Sequence, residues 1–248
     1  MKGSKEDVFD RQKKQTLGGI DQSKKGSFDV AIHDLMVYLN NLDDYFTTSS
    51  CSGRIIVFSE GEKKKGCKWL LTSHDTVEPQ RVVETLKTQQ QSQQSQRDMT
   101  QCVEKMNIEH DEGIDTEPIG GGQGDINNSS ETIFDKMERP ESEEMITFKY
   151  ESFILHVQCR TMESAQDLLK VSLGCGYRNS GIVAGKKKKF MVAVRSSHGL
   201  EVPLLFNPSV TVSDQYVTQL VHMANKKLEE NFVKVDKFFG EVKKCFPN

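Results

Sequence analysis

GRIIVFSE, residues 53–60, is the stretch from which the fold can be read. Ile55 and Val57 lie on one face of an extended chain, and Ile56 and Phe58 on the other, so both faces are apolar. A strand of that kind belongs in the middle of a sheet. Working outward, CKWLLTSH (67–74) reads as its hairpin partner across the polar turn EGEKKKG (60–66). Pro79 then opens a helix through RVVETLK (81–87). Upstream, Ser27 is placed to cap a helix through FDVAIHDLMVYLNNL, whose Phe28, Ile32, Leu35, Met36 and Leu39 share one face. Downstream, ITFKYESFILHVQCR (146–160) supplies one or two strands, and SAQDLLKVSLGCG (164–176) a helix ended by glycine. SGIVAG (180–185) and KFMVAVRS (189–196) follow as strands across the basic turn Lys186 to Lys189. From about Asp214, Val217, Val221, Ala224, Leu228, Phe232, Val235, Phe239 and Val242 recur at spacings of four and three. They form one core-facing stripe of roughly eight helical turns. The expected architecture is α+β: a mixed β-sheet flanked by helices, with a long C-terminal helix and no Rossmann fold.

One segment stands apart in composition. Residues 88–145 are rich in Gln, Ser and Gly and hold 14 acidic residues against 4 basic ones. Such a stretch buries too little apolar surface to offset its ordering entropy. It is expected to be a disordered acidic insertion, splitting a single domain made of 1–87 and 146–248. Outside it, 29 basic residues face 22 acidic ones, a net charge of +7 that suits a polyanionic partner. No apolar run approaches the ~20 residues of a membrane span, and the N-terminus has no signal-peptide apolar region. A cytoplasmic protein is expected. The six cysteines include no pair within four residues, and the histidines show no metal-site spacing, so no metal is expected.

Four blocks could carry chemistry. FTTSSCSGRI (46–55) places Ser49, Ser50, Ser52 and Arg54 around Cys51 and Gly53, in what reads as a hydroxyl-rich turn or a polar ligand site. In LHVQCR, strand alternation puts His156, Gln158 and Arg160 on one face and Leu155, Val157 and Cys159 on the other. That polar face is either solvated or lines a site. GYRNSGIVAG contributes Arg178, Asn179 and Ser180 at a turn, and VRSSHGLEVP contributes Arg195, His198 and Glu201 near a strand end. GGGQG (120–124) follows no strand and precedes no helix, so it is not a nucleotide loop.

TTSSCSGRI, LHVQCR, YRNSG and AVRSSHGLEVP, in this order, resemble the signature blocks of the wybutosine-synthesising protein 3 family. The likeness spans roughly residues 18–87 and 148–246, and the acidic segment departs from the family pattern. The resemblance implies an S-adenosylmethionine-dependent tRNA methyltransferase. Its substrate would be a ring nitrogen (N4) of the wybutosine intermediate, 7-aminocarboxypropyl-demethylwyosine, at position 37 of tRNA-Phe. It further implies Ser49, Ser50, Ser52, Arg54, Asn179 and Ser180 at the cofactor and His156 as proton acceptor. Arg160, Arg178, Arg195, His198, Glu201 and the turn lysines Lys186, Lys187, Lys188 and Lys189 would meet substrate or tRNA. The residues alone leave open a non-catalytic RNA-binding module, or an interaction protein built on the long helix.

Overall fold

A computed structural model of the chain describes residues 7–18, 29–60, 67–108, 145–185, 189–207 and 210–247. Its helices are α1 (Val8–Leu17), α2 (His33–Asn41), α3 (Pro79–Ile108), α4 (Met162–Gly174) and α5 (Asp214–Cys245). Its strands are β1 (Tyr45–Glu60), β2 (Lys68–Ser73), β3 (Met145–Cys159), β4 (Gly181–Gly185), β5 (Lys189–Arg195), β6 (Leu200–Asn207) and β7 (Val210–Thr211). The class is α+β, and no helix among the described residues is long and apolar enough to cross a membrane.

The sheet runs β2-β1-β3-β5-β4, with β6 and β7 added beyond the first half of β3. A mixed sheet was expected, but every pairing among the described residues is antiparallel. The helical crossovers explain this. α3 joins β2 to β3, and α4 joins β3 to β4, and in each case the joined strands point the same way. Each pair, however, has an antiparallel strand between its members, β1 in the first and β5 in the second. These are split β-α-β units, so no parallel ladder forms.

The helices are specified locally. Thr161 and Ser164 form a reciprocal cap at the start of α4. Ser213 accepts from Tyr216 N–H at the start of α5. On α5 Val217, Val221, Ala224, Leu228, Val235 and Val242 are buried, while Phe232 and Phe239 are partly buried. On α2, Ile32, just before it, and Leu35, Met36 and Leu39 are buried as expected. Ser27 and Phe28 lie outside the described residues.

Two local expectations are corrected. The hydroxyl-rich stretch 46–52 is not a turn but the first half of the 16-residue strand β1. Thr and Ser fit an extended backbone, and the stretch is held on both sides, by β3 and by polar side chains at its edge. The helix begun at Pro79 does not stop at Lys87 but runs 30 residues to Ile108. Gln, Arg, Met, Glu and Lys are good helix formers, no Gly or Pro interrupts them, and Ser and Thr hydroxyls bond back four residues (Thr88 to Glu84, Ser92 to Thr88, Ser95 to Gln91). The remainder of the expected acidic insertion, 109–144, lies outside the described residues. α1, absent from the sequence reading, is a short helix seated by Phe9 against Phe46.

Candidate active site

β1 and β3 are the two longest strands, and they change facing together at their middles. Tyr150, Phe148 and Ile146 turn to the helices, and so do Phe153, Leu155, Val157 and Cys159, so an extra residue falls between the two sets. On β1 the matching irregularity is Ser52–Gly53, where Gly53 has φ 109. A side chain from α5 fills the opening. Asn231 donates from Nδ2 to Ser52 O (2.8 Å) and accepts at Oδ1 from Phe153 N–H (2.8 Å), replacing the missing ladder bonds. Ser52 is held from the strand edge too, where its N–H and Oγ both donate to Asp29 (2.9 and 3.0 Å). His74 Nδ1 lies 3.0 Å from Gly53 O and 3.3 Å from the Asp29 carboxylate. A carbonyl only accepts, so that nitrogen carries the proton. Although Asp29, Cys51 and His74 bring ligand-type atoms within 4.8 Å of one another, His74 Nδ1 offers no lone pair there.

On the sheet face away from α2, α3, α4 and α5, Ser49 and His156 are direct cross-strand partners, and His156 in turn opposes Ala193 on β5. Ser49 Oγ lies 2.8 Å from His156 Nδ1, and Arg195 Nη2 lies 3.0 Å from His156 Nε2. A guanidinium has only donors, so Nε2 accepts, Nδ1 carries the proton, and the imidazole is neutral. Burial, and after it the charge of Arg195, hold His156 below the ordinary imidazole value. Arg195 has no ion-pair partner among the described residues, and its backbone N–H is anchored on Ser180 Oγ (3.0 Å).

Farther along the same face, Arg54 donates through Nε to Glu151 (2.7 Å), its cross-strand partner, and lies over the Trp69 ring at 4.8 Å. Lys149 joins Glu151 (3.4 Å) to Glu201 (3.1 Å). These charges form a ladder across β1, β3 and β6.

β5 pairs with 154–159 of β3 and β6 with 146–150, so the edge between them is open. A crevice of about 150 Å³ lies there, lined by Ser196 and His198 from the connecting loop and by Lys227, Glu230, Asn231 and Lys234 from α5. Lys234 donates to Gly176 O (2.9 Å) and sits over the Tyr177 ring, and burial holds it below the ordinary lysine value.

The sequence-derived site is thus divided. Ser49, His156, Arg195, Arg54 and Glu201 share the open face, and Ser180 supports Arg195. Ser50 faces the helices instead, its hydroxyl 3.0 Å from Met36 Sδ, and Ser52 is buried. Strand alternation requires this split, because Ser49 and Cys51 occupy the other parity. Arg178 and Asn179 are exposed on the α4–β4 turn, and His198 belongs to the crevice. Arg160 does not reach His156. It lies just past the end of β3, bonded to Asp7, Asp10 and Asp44 at 2.9, 2.6 and 3.0 Å and stacked on Phe9. Gln158, between them, is buried beside Phe46, the ring on which α1 sits. Lys186, Lys187 and Lys188 lie outside the described residues, and Lys189 is exposed at the start of β5. Sequence reading missed Asp29, Asn231 and Lys234. Only Asn231 carried a signal, as a polar residue three positions after Leu228 on the buried side of α5.

Residues 10–244 match the sequence model of the family described as Methyltransferase TYW3. The chain belongs to this methyltransferase family. It is 36% identical over 246 residues to the Xenopus laevis protein named tRNA wybutosine-synthesizing protein 3 homolog, covering 97% of this chain and 77% of that one. The Homo sapiens protein of the same name is 34% identical, over 94% of this chain and 71% of its own. The solved structure of the PH1069 protein from Pyrococcus horikoshii superimposes with a TM-score of 0.67 at 25% identity, covering 94% of this chain and 95% of that one. Among the described residues, Ser49, His156 and Arg195 on the open face and His198 at the crevice are polar groups that the core does not consume.

Proposed function

We propose that this protein transfers the methyl group of S-adenosylmethionine to ring nitrogen N4 of 7-aminocarboxypropyl-demethylwyosine at position 37 of tRNA-Phe, in the cytoplasm. Membership of the methyltransferase family and the names of the relatives support the reaction class and the RNA. The observation that carries the reading to residues is the chain Ser49–His156–Arg195 on the open sheet face.

The residues fit both ligands. Arg195 is a cation held by a neutral imidazole rather than by a carboxylate, which leaves it matched to a carboxylate from outside. The methionine portion of the cofactor and the aminocarboxypropyl arm of the base each carry one. The cofactor supplies an activated methyl on sulfur. Its transfer forms the N–CH₃ bond, breaks the S–CH₃ bond and releases the proton of the ring nitrogen.

His156 is the group placed to take that proton at Nε2. In the structure that lone pair is occupied by Arg195, so a ligand carboxylate that drew the guanidinium away would free the base. Ser49 keeps the tautomer correct by accepting from Nδ1–H. Ser180 fixes the strand end that carries Arg195. Arg178, Asn179, His198 and the lysines of the 186–189 turn are assigned to tRNA backbone, and Arg54 to the substrate side of the face.

The test is methyl transfer from labelled S-adenosylmethionine to tRNA-Phe carrying the unmethylated tricyclic base. Transfer to that tRNA, and none to tRNA with plain guanosine at the position, is expected. A second reading, a non-catalytic RNA-binding module, takes over if tRNA binds and no methyl moves.

A further inference from the structure

Trp69 is the only tryptophan of the chain. It stands on the edge strand β2, opposite Phe58, and keeps 47% of its surface exposed. An indole this exposed is half desolvated without being buried, and its neighbourhood is not that of an idle surface residue. Arg54 lies over the ring at 4.8 Å, itself fixed by its bond to Glu151. Beside the ring, between β2 and the start of α3, runs a groove of about 390 Å³ lined by Lys68, Leu70, Arg81, Glu84 and Thr88. An aromatic plane, an arginine plane stacked with it, and two cations at its flank are what an unpaired nucleotide requires: a surface for the base and charge for its phosphate. Glu84 sets a limit, since its carboxylate accepts from a ribose hydroxyl or a base amine and repels a second phosphate.

Arg54 projects from the same sheet face as Ser49, His156 and Arg195, so an RNA strand lying on that face can reach both places. Five residues of strand separate Ser49 from Arg54, roughly 16 Å. That is more than a single nucleotide step, so the base that meets Trp69 lies a few nucleotides from the reacting base on the same strand. The net charge of +7 outside residues 88–145, with Arg54, Lys68 and Arg81 at the ring, favours RNA over a protein partner.

We propose that Trp69, backed by Arg54 and flanked by the β2–α3 groove, is a stacking site for an unpaired nucleotide a few positions from the reacting base of the RNA substrate. The proposal rests on the reading of this protein as a tRNA methyltransferase only for which RNA occupies the site.

The single tryptophan makes the test direct. The 248-residue chain is titrated with a single-stranded RNA pentanucleotide at fixed salt, and intrinsic fluorescence is followed together with the anisotropy of end-labelled RNA. Saturable quenching with the same Kd as the anisotropy is expected. Trp69→Leu should weaken binding roughly 5- to 150-fold, the effect of losing one stacked base. Trp69→Phe, which keeps a ring, should retain most of the affinity. Arg81→Ala should weaken binding and lower the salt slope by about one ion. RNA that binds without quenching, or Trp69→Leu protein that binds RNA like the parent with an unchanged Tm, overturns the proposal and leaves the ring to a protein partner. Methyl transfer is read separately. Quenching without transfer sinks the enzymatic reading and leaves the stacking site. Transfer by Trp69→Leu with unchanged KM sinks the stacking site and leaves the enzyme.

Discussion

A Cβ on Gly53 would lie 3.1 Å from Asn231 Nδ2 and 3.2 Å from Glu151 O, so the glycine and the asparagine of the distant helix occupy one space between them. The asparagine can bridge Ser52 and Phe153 only because residue 53 has no side chain and adopts φ 109. Gly53→Ala is expected to destabilise the fold by at least the ~1–2 kcal/mol of a left-handed alanine, and more through the contact with Glu151 O. Asn231→Leu keeps the volume but leaves a buried N–H and a buried carbonyl unpaired, at about 1–3 kcal/mol each. Urea unfolding of both variants checks this, and a Gly53→Ala protein as stable as the parent would refute the shared-space account.

Arg160 holds α1 to the sheet through three carboxylates and the Phe9 ring. Its three carboxylate partners come from α1, from the residue preceding it and from the α2–β1 connection, and Asp10 is held below its ordinary value chiefly by the hydrogen bond from Arg160. Arg160→Ala should lower Tm by a few degrees, less so at high salt where exposed pairs are screened. KM and kcat per folded molecule should stay near the parent values. A selective rise in KM for tRNA with unchanged Tm would return Arg160 to the binding surface.

What could be read from the sequence was whatever follows from local pattern. The α5 stripe, the α2 face, the capped α4 and the polarity of Ser49 and His156 all depend on periodicities of 3.6 and 2 that neighbouring residues display by themselves. The antiparallel sheet was not legible, because β-α-β alternation is the same whether or not a third strand slips between the joined pair. The division of 49–54 between two faces depends on bulges in β1, and nothing in TTSSCSGR distinguishes a strand with an irregularity from a turn. Arg160 shared a facing with His156 by alternation, but α1, which claims it, has too few apolar residues to announce itself. Asn231 serves Ser52 from 179 residues away. Its role exists only once α5 is laid on the sheet.

The acidic residues of 109–144 are expected to compete with phosphate for the basic body. That stretch holds 12 acidic and 2 basic residues, a net charge of -10. Replacing its Asp and Glu by Asn and Gln, at unchanged length, should tighten tRNA binding at low salt. The gain should fade as salt is raised, because both the competitor and the phosphates are screened. Affinities measured across a salt series decide it, and a variant identical to the parent at every salt would exclude the competition.

If His156 takes the proton, as proposed, it should set the acid limb of the activity. Its imidazole is held below its ordinary value of 6.5 by burial and then by Arg195, so the proton-accepting form predominates at neutral pH. Protonation as pH falls removes the lone pair at Nε2 and places a second positive charge against Arg195. Turnover should therefore fall as the pH is lowered, with a midpoint on the acid side of 6.5. The stability effect has the same sign. The unfolded chain takes up the proton at higher pH than the folded one, so acid favours unfolding as pH drops below 6.5, and raising the pH restores what was lost. His156→Ala should cut kcat by about a hundredfold and abolish the acid limb, leaving Tm near the parent value at neutral pH. Arg195→Ala should act differently. It removes the charge that depresses the imidazole, so the limb shifts toward 6.5, while KM rises through loss of the carboxylate partner. A kcat profile for His156→Ala that keeps the parent's acid limb would assign that limb, and the proton, to another group.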